Sequence, residues 1–258
     1  MFLDDPRVSQ VVFYPRKVQE PKDLGKNLKV IKLKIHEDII IGGILYLNNI
    51  HLPTILLFHG NGEIALDYKY FYNLFFDCGV NLAVMDFRGY GFSSHNPTYT
   101  SLIKDAMPIY KTFKKYMQDN NLMGSLFVQG RSLGSVCAAE IGSHNPKELK
   151  AIIFESGFAS VYNMMTRLFN VSGPDITKEK LKQYSNQVRV ENFNKPTLII
   201  HGTNDYIIPN SEGKLLHDSL PEGVEKRLVM IEGAGHNDIF SYKEEYFTAL
   251  KEFIKKYQ

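Results

Sequence analysis

From residue 54 onward, short and almost wholly apolar runs alternate with longer stretches of helical character. This rhythm constrains the fold more than anything else in the chain. The runs are Thr54 to Phe58, Asn81 to Met85, Ser125 to Gln129, Ala151 to Phe154, Thr197 to Ile200 and Arg227 to Ile231. A strand that is apolar at every position, rather than every second one, must be covered on both faces, and in a parallel sheet helices supply that cover. The spacing between the runs predicts helices at 64–77, 101–119, 134–144, 211–219 and 241–257. The last of these carries Tyr246, Phe247, Leu250, Phe253, Ile254 and Tyr257 at helical spacing, a stripe expected to pack on the core. Upstream, residues 28–35 place β-branched residues and lysines in near alternation, and Ile39 to Leu47 forms a second apolar run. Antiparallel pairing of these two across Glu37-Asp38 is the simplest reading. The expected fold class is therefore α/β, with a mostly parallel central sheet, antiparallel N-terminal strands and helices on both faces.

At 258 residues and 44% hydrophobic content, one domain can bury a continuous core. The longest break in the βα rhythm, 157–195, contains Ser172-Gly173-Pro174-Asp175 and is read as a small cap within that single domain. In an open parallel sheet ligands bind beyond the carboxyl ends of the strands, so a cap there would overhang the site. A formal net charge of +2 is too small to make nucleic acid the expected partner. No run reaches the roughly 18 to 20 apolar residues of a membrane span, so no stable membrane insertion is expected. The stretch Met1 to Asp5 carries early acids and is not read as a secretory signal. Two cysteines, Cys78 and Cys137, cannot make a disulfide framework and are expected to be small buried hydrophobes. The expectation is a cytoplasmic protein of unknown oligomeric state. No metal or cofactor is expected, and a phosphate-cradling loop is set aside because no Gly-Xaa-Xaa-Xaa-Xaa-Gly-Lys-Ser/Thr pattern is present.

Within this frame one turn carries the chemistry. The apolar strand Leu126-Phe127-Val128-Gln129 runs directly into Gly130-Arg131-Ser132-Leu133-Gly134, and a helix follows. A sharp strand-to-helix turn strains its central residue, and side chains at the two glycine positions would collide with neighbouring elements. The turn lifts the Ser132 hydroxyl clear of the sheet and sets the Leu133 amide beside any oxygen that becomes negative there. A serine hydroxyl is a weak nucleophile without a base that titrates near neutrality, which points to histidine. His236 lies in Gly233-Ala234-Gly235-His236-Asn237-Asp238, a loop directly after the last apolar run and thus on the same rim as Ser132. His201 is read as a loop-shaping residue, and His144 and His217 as helical and exposed. The imidazole needs an acid to fix its tautomer. Asp205, in the loop after Thr197 to Ile200, is the candidate, because Asp238 is too close in sequence to His236. Ser132, Asp205, His236 is then the chain order. A second oxyanion donor is sought in Phe58-His59-Gly60-Asn61-Gly62-Glu63, where Gly60 and Gly62 let backbone approach a substrate oxygen. The Asn61 amide is favoured, with Gly62 as the fallback; if only the Asn61 amide acts, Asn61→Ala should matter little.

Together, His59-Gly60-Asn61-Gly62, Asp86-Phe87-Arg88-Gly89-Tyr90-Gly91-Phe92-Ser93, Gly130-Arg131-Ser132-Leu133-Gly134 and the Asp205 and His236 loops resemble the α/β-hydrolase superfamily. The wording is similar to the branch of depalmitoylase-like proteins and many uncharacterised bacterial hydrolases, over about residues 28–258. The resemblance implies the α/β-hydrolase fold, a serine hydrolase working through an acyl-serine intermediate, and a scaffold role for Asp86 and Arg88. A serine at 132 sets the chain apart from the dehalogenase relatives, which the resemblance says use aspartate there. The expected substrate is a small-molecule carboxylic ester or thioester. Amide or peptide cleavage on the same fold, and a non-catalytic binding module, are the alternatives. Phe158, Met164 and Met165 within the cap would line an apolar substrate wall or belong to the core; the sequence leaves both open.

Overall fold

The computed structural model describes residues 2–258. Among these, eight strands form one sheet: β1 (Leu28–Lys34), β2 (Ile40–Tyr46), β3 (Thr54–Phe58), β4 (Asn81–Met85), β5 (Leu126–Arg131), β6 (Leu149–Glu155), β7 (Thr197–Gly202) and β8 (Lys226–Ile231). Their order across the sheet is β1-β2-β4-β3-β5-β6-β7-β8. β1 pairs antiparallel with β2, and β2 with β4; every pairing from β4 to β8 is parallel. The mostly parallel sheet with antiparallel N-terminal strands is thus what the apolar runs demanded.

The helices are α1 (Pro6–Val12), α2 (Tyr72–Asp77), α3 (Tyr99–Asp119), α4 (Ser135–Ser143), α5 (Val161–Asn163), α6 (Lys178–Lys182), α7 (Asn186–Val190), α8 (Asn210–Ser219) and α9 (Lys243–Tyr257). Successive residues of the parallel strands point to opposite faces and feed two separate cores. Leu56 and Phe58 of β3, with Val128 of β5, join Ile109 and Phe113 of α3 and Val136 of α4. Ile55 and Leu57, with Phe127, join Phe75 of α2 and Phe247, Leu250 and Ile254 of α9. The aromatic stripe on α9 is core, as its spacing suggested.

The segment 157–195 fills the β6–β7 connection with α5, a π-helical turn (Met164–Leu168), α6 and α7. From its first part, Met164, Leu168 and Phe169 line the cleft that holds Ser132. The later part is anchored to α4: Asn186 Nδ2 donates to Ser135 Oγ at 3.0 Å, and Arg189 Nε to Glu140 Oε2 at 2.8 Å.

The region before residue 28, for which the sequence pattern predicts no element, also packs on the sheet and its helices. Leu3, Val8, Val12 and Phe13 are buried in the larger core. Asp5 starts α1 by accepting from the Arg7 amide at 2.8 Å, with Pro6 in the first turn, and the chain then crosses toward Gly91, against which Lys17 bridges.

Candidate active site

Four strand ends supply the site. Ser132 follows β5, Asp205 follows β7, His236 follows β8 and Asn61 follows β3. Ser132 has φ +50°, the strained left-handed conformation of a sharp turn. Gly130 and Gly134 make that turn possible. A β-carbon on Gly130 would stand 2.5 Å from the Gly134 carbonyl oxygen, and one on Gly134 would stand 2.0 Å from that of Phe58.

The turn brings Ser132 Oγ within 2.9 Å of His236 Nε2, and His236 Nδ1 lies 2.7 Å from Asp205 Oδ2. A proton on Nδ1 donates to the carboxylate, which leaves Nε2 to accept from the serine hydroxyl. All three residues are buried. The second Asp205 oxygen accepts from the Ile207 and Ile208 amides at 3.0 and 2.8 Å. Burial alone would push the Asp205 carboxyl up, but the hydrogen bonds from His201, His236 and the backbone outweigh it and hold the group well below its usual range. It therefore stays an acceptor for the imidazole. Asp238 accepts from the Gly235 amide at 2.7 Å and shapes its own loop. His201 is fully buried, 2.8 Å from the Ile208 carbonyl and 3.4 Å from Asp205 Oδ2.

Ser132, Leu133, His236, Gly60, Asn61 and Met164 line one cleft of about 250 Å³, together with Tyr14, Glu63, Leu168, Phe169, Ile207, Ile208 and Asn237. Of the sequence-derived substrate residues, Gly60 and Met164 reach this cleft. Phe158 instead lines a smaller cavity of about 20 Å³, which shares Met164, Leu168, Ile207 and Ile208 with it. Met165 is fully buried in the core, and Gly62 presents its carbonyl to Arg16 Nη1 at 3.1 Å. Both methionines are buried in the core, but only Met164 also lines the cleft, a distinction that composition alone does not make. The Gly60 amide is committed to Glu63 Oε2 at 3.0 Å.

The Asn61 side chain is also committed, to partners that the sequence does not reveal. Its Nδ2 donates to the Val12 carbonyl at 2.7 Å, and its Oδ1 accepts from the Tyr14 amide at 3.0 Å and the Tyr90 hydroxyl at 2.6 Å. It thereby fastens the N-terminal arm to the loop and sets Tyr14 in the cleft wall. Asp86 and Arg88 sit away from the Ser132 hydroxyl. Asp86 Oδ1 accepts from the Ala65 amide at 2.7 Å and lies 3.3 Å from His59 Nε2, while Arg88 pairs with Asp105. The sequence reading gave no role to Tyr14, Glu63, Arg131 or Asn237.

Sheet order, strained turn and converging loops define an α/β-hydrolase, and the fold is shared with solved structures. An esterase of Pyrococcus furiosus superposes with a TM-score of 0.74 at 20% identity, covering 94% of this chain and 98% of that one. A profile of the family described as serine aminopeptidase, S33, matches residues 51–185, just over half of the chain, and the protein belongs to that α/β-hydrolase family. It is similar to human α/β hydrolase domain-containing protein 17B, 28% identical over 207 residues that span 79% of this chain and 66% of that protein. It is also similar to protein bem46 of Schizosaccharomyces pombe, 25% identical over 247 residues, 92% of this chain and 80% of that one.

Proposed function

We propose that this hydrolase is a serine esterase or thioesterase acting on small acyl substrates. The observation that carries the reading is the continuous relay from Ser132 Oγ through His236 to Asp205, at 2.9 and 2.7 Å. Ser132 attacks the acyl carbon while its proton passes to His236 Nε2, and the resulting oxyanion is held by the amides of Asn61 and Leu133. His236 then gives that proton to the departing alkoxide or thiolate. A water, deprotonated by the same imidazole, attacks the acyl-serine and releases the acid. The Asp205 carboxylate fixes the imidazole tautomer and stabilises its charged form.

The cleft supports an ester or thioester over the terminal peptide implied by the family's description. A free α-ammonium needs an uncommitted carboxylate. Glu63, the carboxylate lining the cleft, is held by Arg131, Tyr68 and the Gly60 amide. Met164, Leu168, Phe169, Ile207 and Ile208 offer an apolar wall in place of charge. At about 250 Å³ the cleft sits below the usual range for drug-sized ligands, so short acyl groups are favoured over long ones. Cys78 and Cys137, both free and buried, fit a reducing compartment such as the cytoplasm.

Labelling with a fluorophosphonate probe tests the reading. Wild-type protein should be modified at Ser132, and Ser132→Ala should not. Absence of labelling that depends on Ser132 would favour a non-catalytic binding module. A panel of p-nitrophenyl esters, matched thioesters and aminoacyl anilides then reports the leaving group, with the anilides expected to be the poorest.

A further inference from the structure

Arg131 occupies the position between Gly130 and Ser132, yet its side chain is only 8% exposed and reaches two loops and the end of β6. Its Nε donates to Glu63 Oε1 at 2.7 Å, and the other oxygen of Glu63 holds the Gly60 amide, next to Asn61. Its Nη1 donates to the main-chain carbonyl of His236 at 3.2 Å and to Glu155 Oε1 at 3.2 Å. Its Nη2 approaches Asn237 Oδ1 at 3.4 Å. Glu155 is itself fixed, its Oε2 accepting from Gln129 and Tyr246 at 2.9 and 2.8 Å. We propose that Arg131 is a positioning residue that holds the oxyanion loop and the His236 loop in register around Ser132. The assignment rests on the serine-hydrolase reading above.

The physical reason is the shape of the group. A guanidinium is flat, and its donors leave in fixed directions, so partners on three elements are held at set mutual angles. A lysine keeps the charge but not the fork. The gain comes in the transition state, where the Asn61 amide and the imidazole must meet one substrate together, and a misplacement of about 1 Å costs roughly 100-fold.

The experiment compares wild type, Arg131→Lys, Arg131→Met and Glu63→Gln, with Ser132→Ala as the control. It measures kcat and KM for a p-nitrophenyl ester per fluorophosphonate-titrated site. Arg131→Met should lower kcat roughly 100-fold with KM changed less than about 3-fold. Arg131→Lys should lose about 10-fold in kcat, since the charge stays and the fork goes. Wild-type kcat per titrated site in both Arg131 variants overturns the assignment, as does a loss that falls on KM with kcat unchanged. Should that variant not fold, wild-type turnover per site in both Arg131→Lys and Glu63→Gln overturns it equally. Wild-type protein without Ser132-dependent turnover overturns the underlying serine-hydrolase reading first, and the control shows that separately.

Discussion

The side chain of Asn61 has three hydrogen-bond partners, all outside its own loop: the Val12 carbonyl, the Tyr14 amide and the Tyr90 hydroxyl. Asn61 lines the cleft with Ser132. The proposed mechanism uses its backbone amide as an oxyanion donor, which needs a plane fixed in advance, and the residue's own carboxamide is tied down on both sides. Asn61→Ala is therefore expected to lower kcat roughly 10- to 100-fold, with less effect on KM. Steady-state kinetics on a short-chain ester checks this, and kcat within twofold of wild type would mean the arm contacts do not hold the amide. None of these partners was legible in the sequence. Hydrogen bonds spanning 29 to 49 positions leave no local pattern. Ser132 and His236 could be found because strand ends and chain order constrain them, whereas Arg131 sits at a position whose residue type the turn does not dictate.

At the scale of elements, the cleft has two walls of different origin. One is the turn from Met164 to Leu168 with the Ile207-Ile208 loop; the other is the arm after α1, which contributes Tyr14. Glu212 of α8 secures the first wall by accepting from the Ala159 and Ser160 amides and from Asn163 Nδ2, at 2.9, 2.9 and 2.6 Å. Arg16 secures the second through Asp67 and the Gly62 carbonyl. An acyl chain lying against Met164 loses contact area when that side chain is cut back. Met164→Ala should thus raise KM for a butyrate or hexanoate ester by about 3- to 10-fold while leaving acetate nearly unchanged. Tyr14→Ala, on the opposite wall, should instead alter the preference among leaving groups at constant acyl length. If both variants shift only the acyl-chain profile, the two walls do not divide the substrate in this way. The strands were readable because uninterrupted apolar runs have few other uses. The arm was not, because residues 13–27 carry no periodicity and their role depends on what they cross.

For the whole molecule, the buried polar groups behind the cleft make the site a part of the fold's acid stability. The Asp205 carboxyl is held below its ordinary range by hydrogen bonds that outweigh the effect of burial. Glu63 behaves alike: burial would raise it, but Arg131, His59, the Gly60 amide and Tyr68 bring it below the usual carboxylate range. A carboxyl depressed in the folded state stabilises above its unfolded pKa of about 4, and that contribution is lost as pH falls through the folded value. Glu155 works in the opposite sense. Burial raises its pKa despite Arg131, Tyr246 and Gln129, so its ionised form costs stability near neutrality and the cost fades as it takes up a proton. Asp205→Asn isolates the first effect, since it removes the charge while keeping the shape. The variant should melt about 3 to 6 °C below wild type at neutral pH. The gap should narrow once pH falls below about 4, where the carboxyl of the unfolded wild-type chain takes up a proton that the folded one still refuses. Calorimetric melts between about pH 7 and 2.5 read this directly. A gap that stays constant down to the lowest pH would assign the loss to altered hydrogen bonding at Ile207 and Ile208, and would separate the stability of the Asp205 loop from its charge.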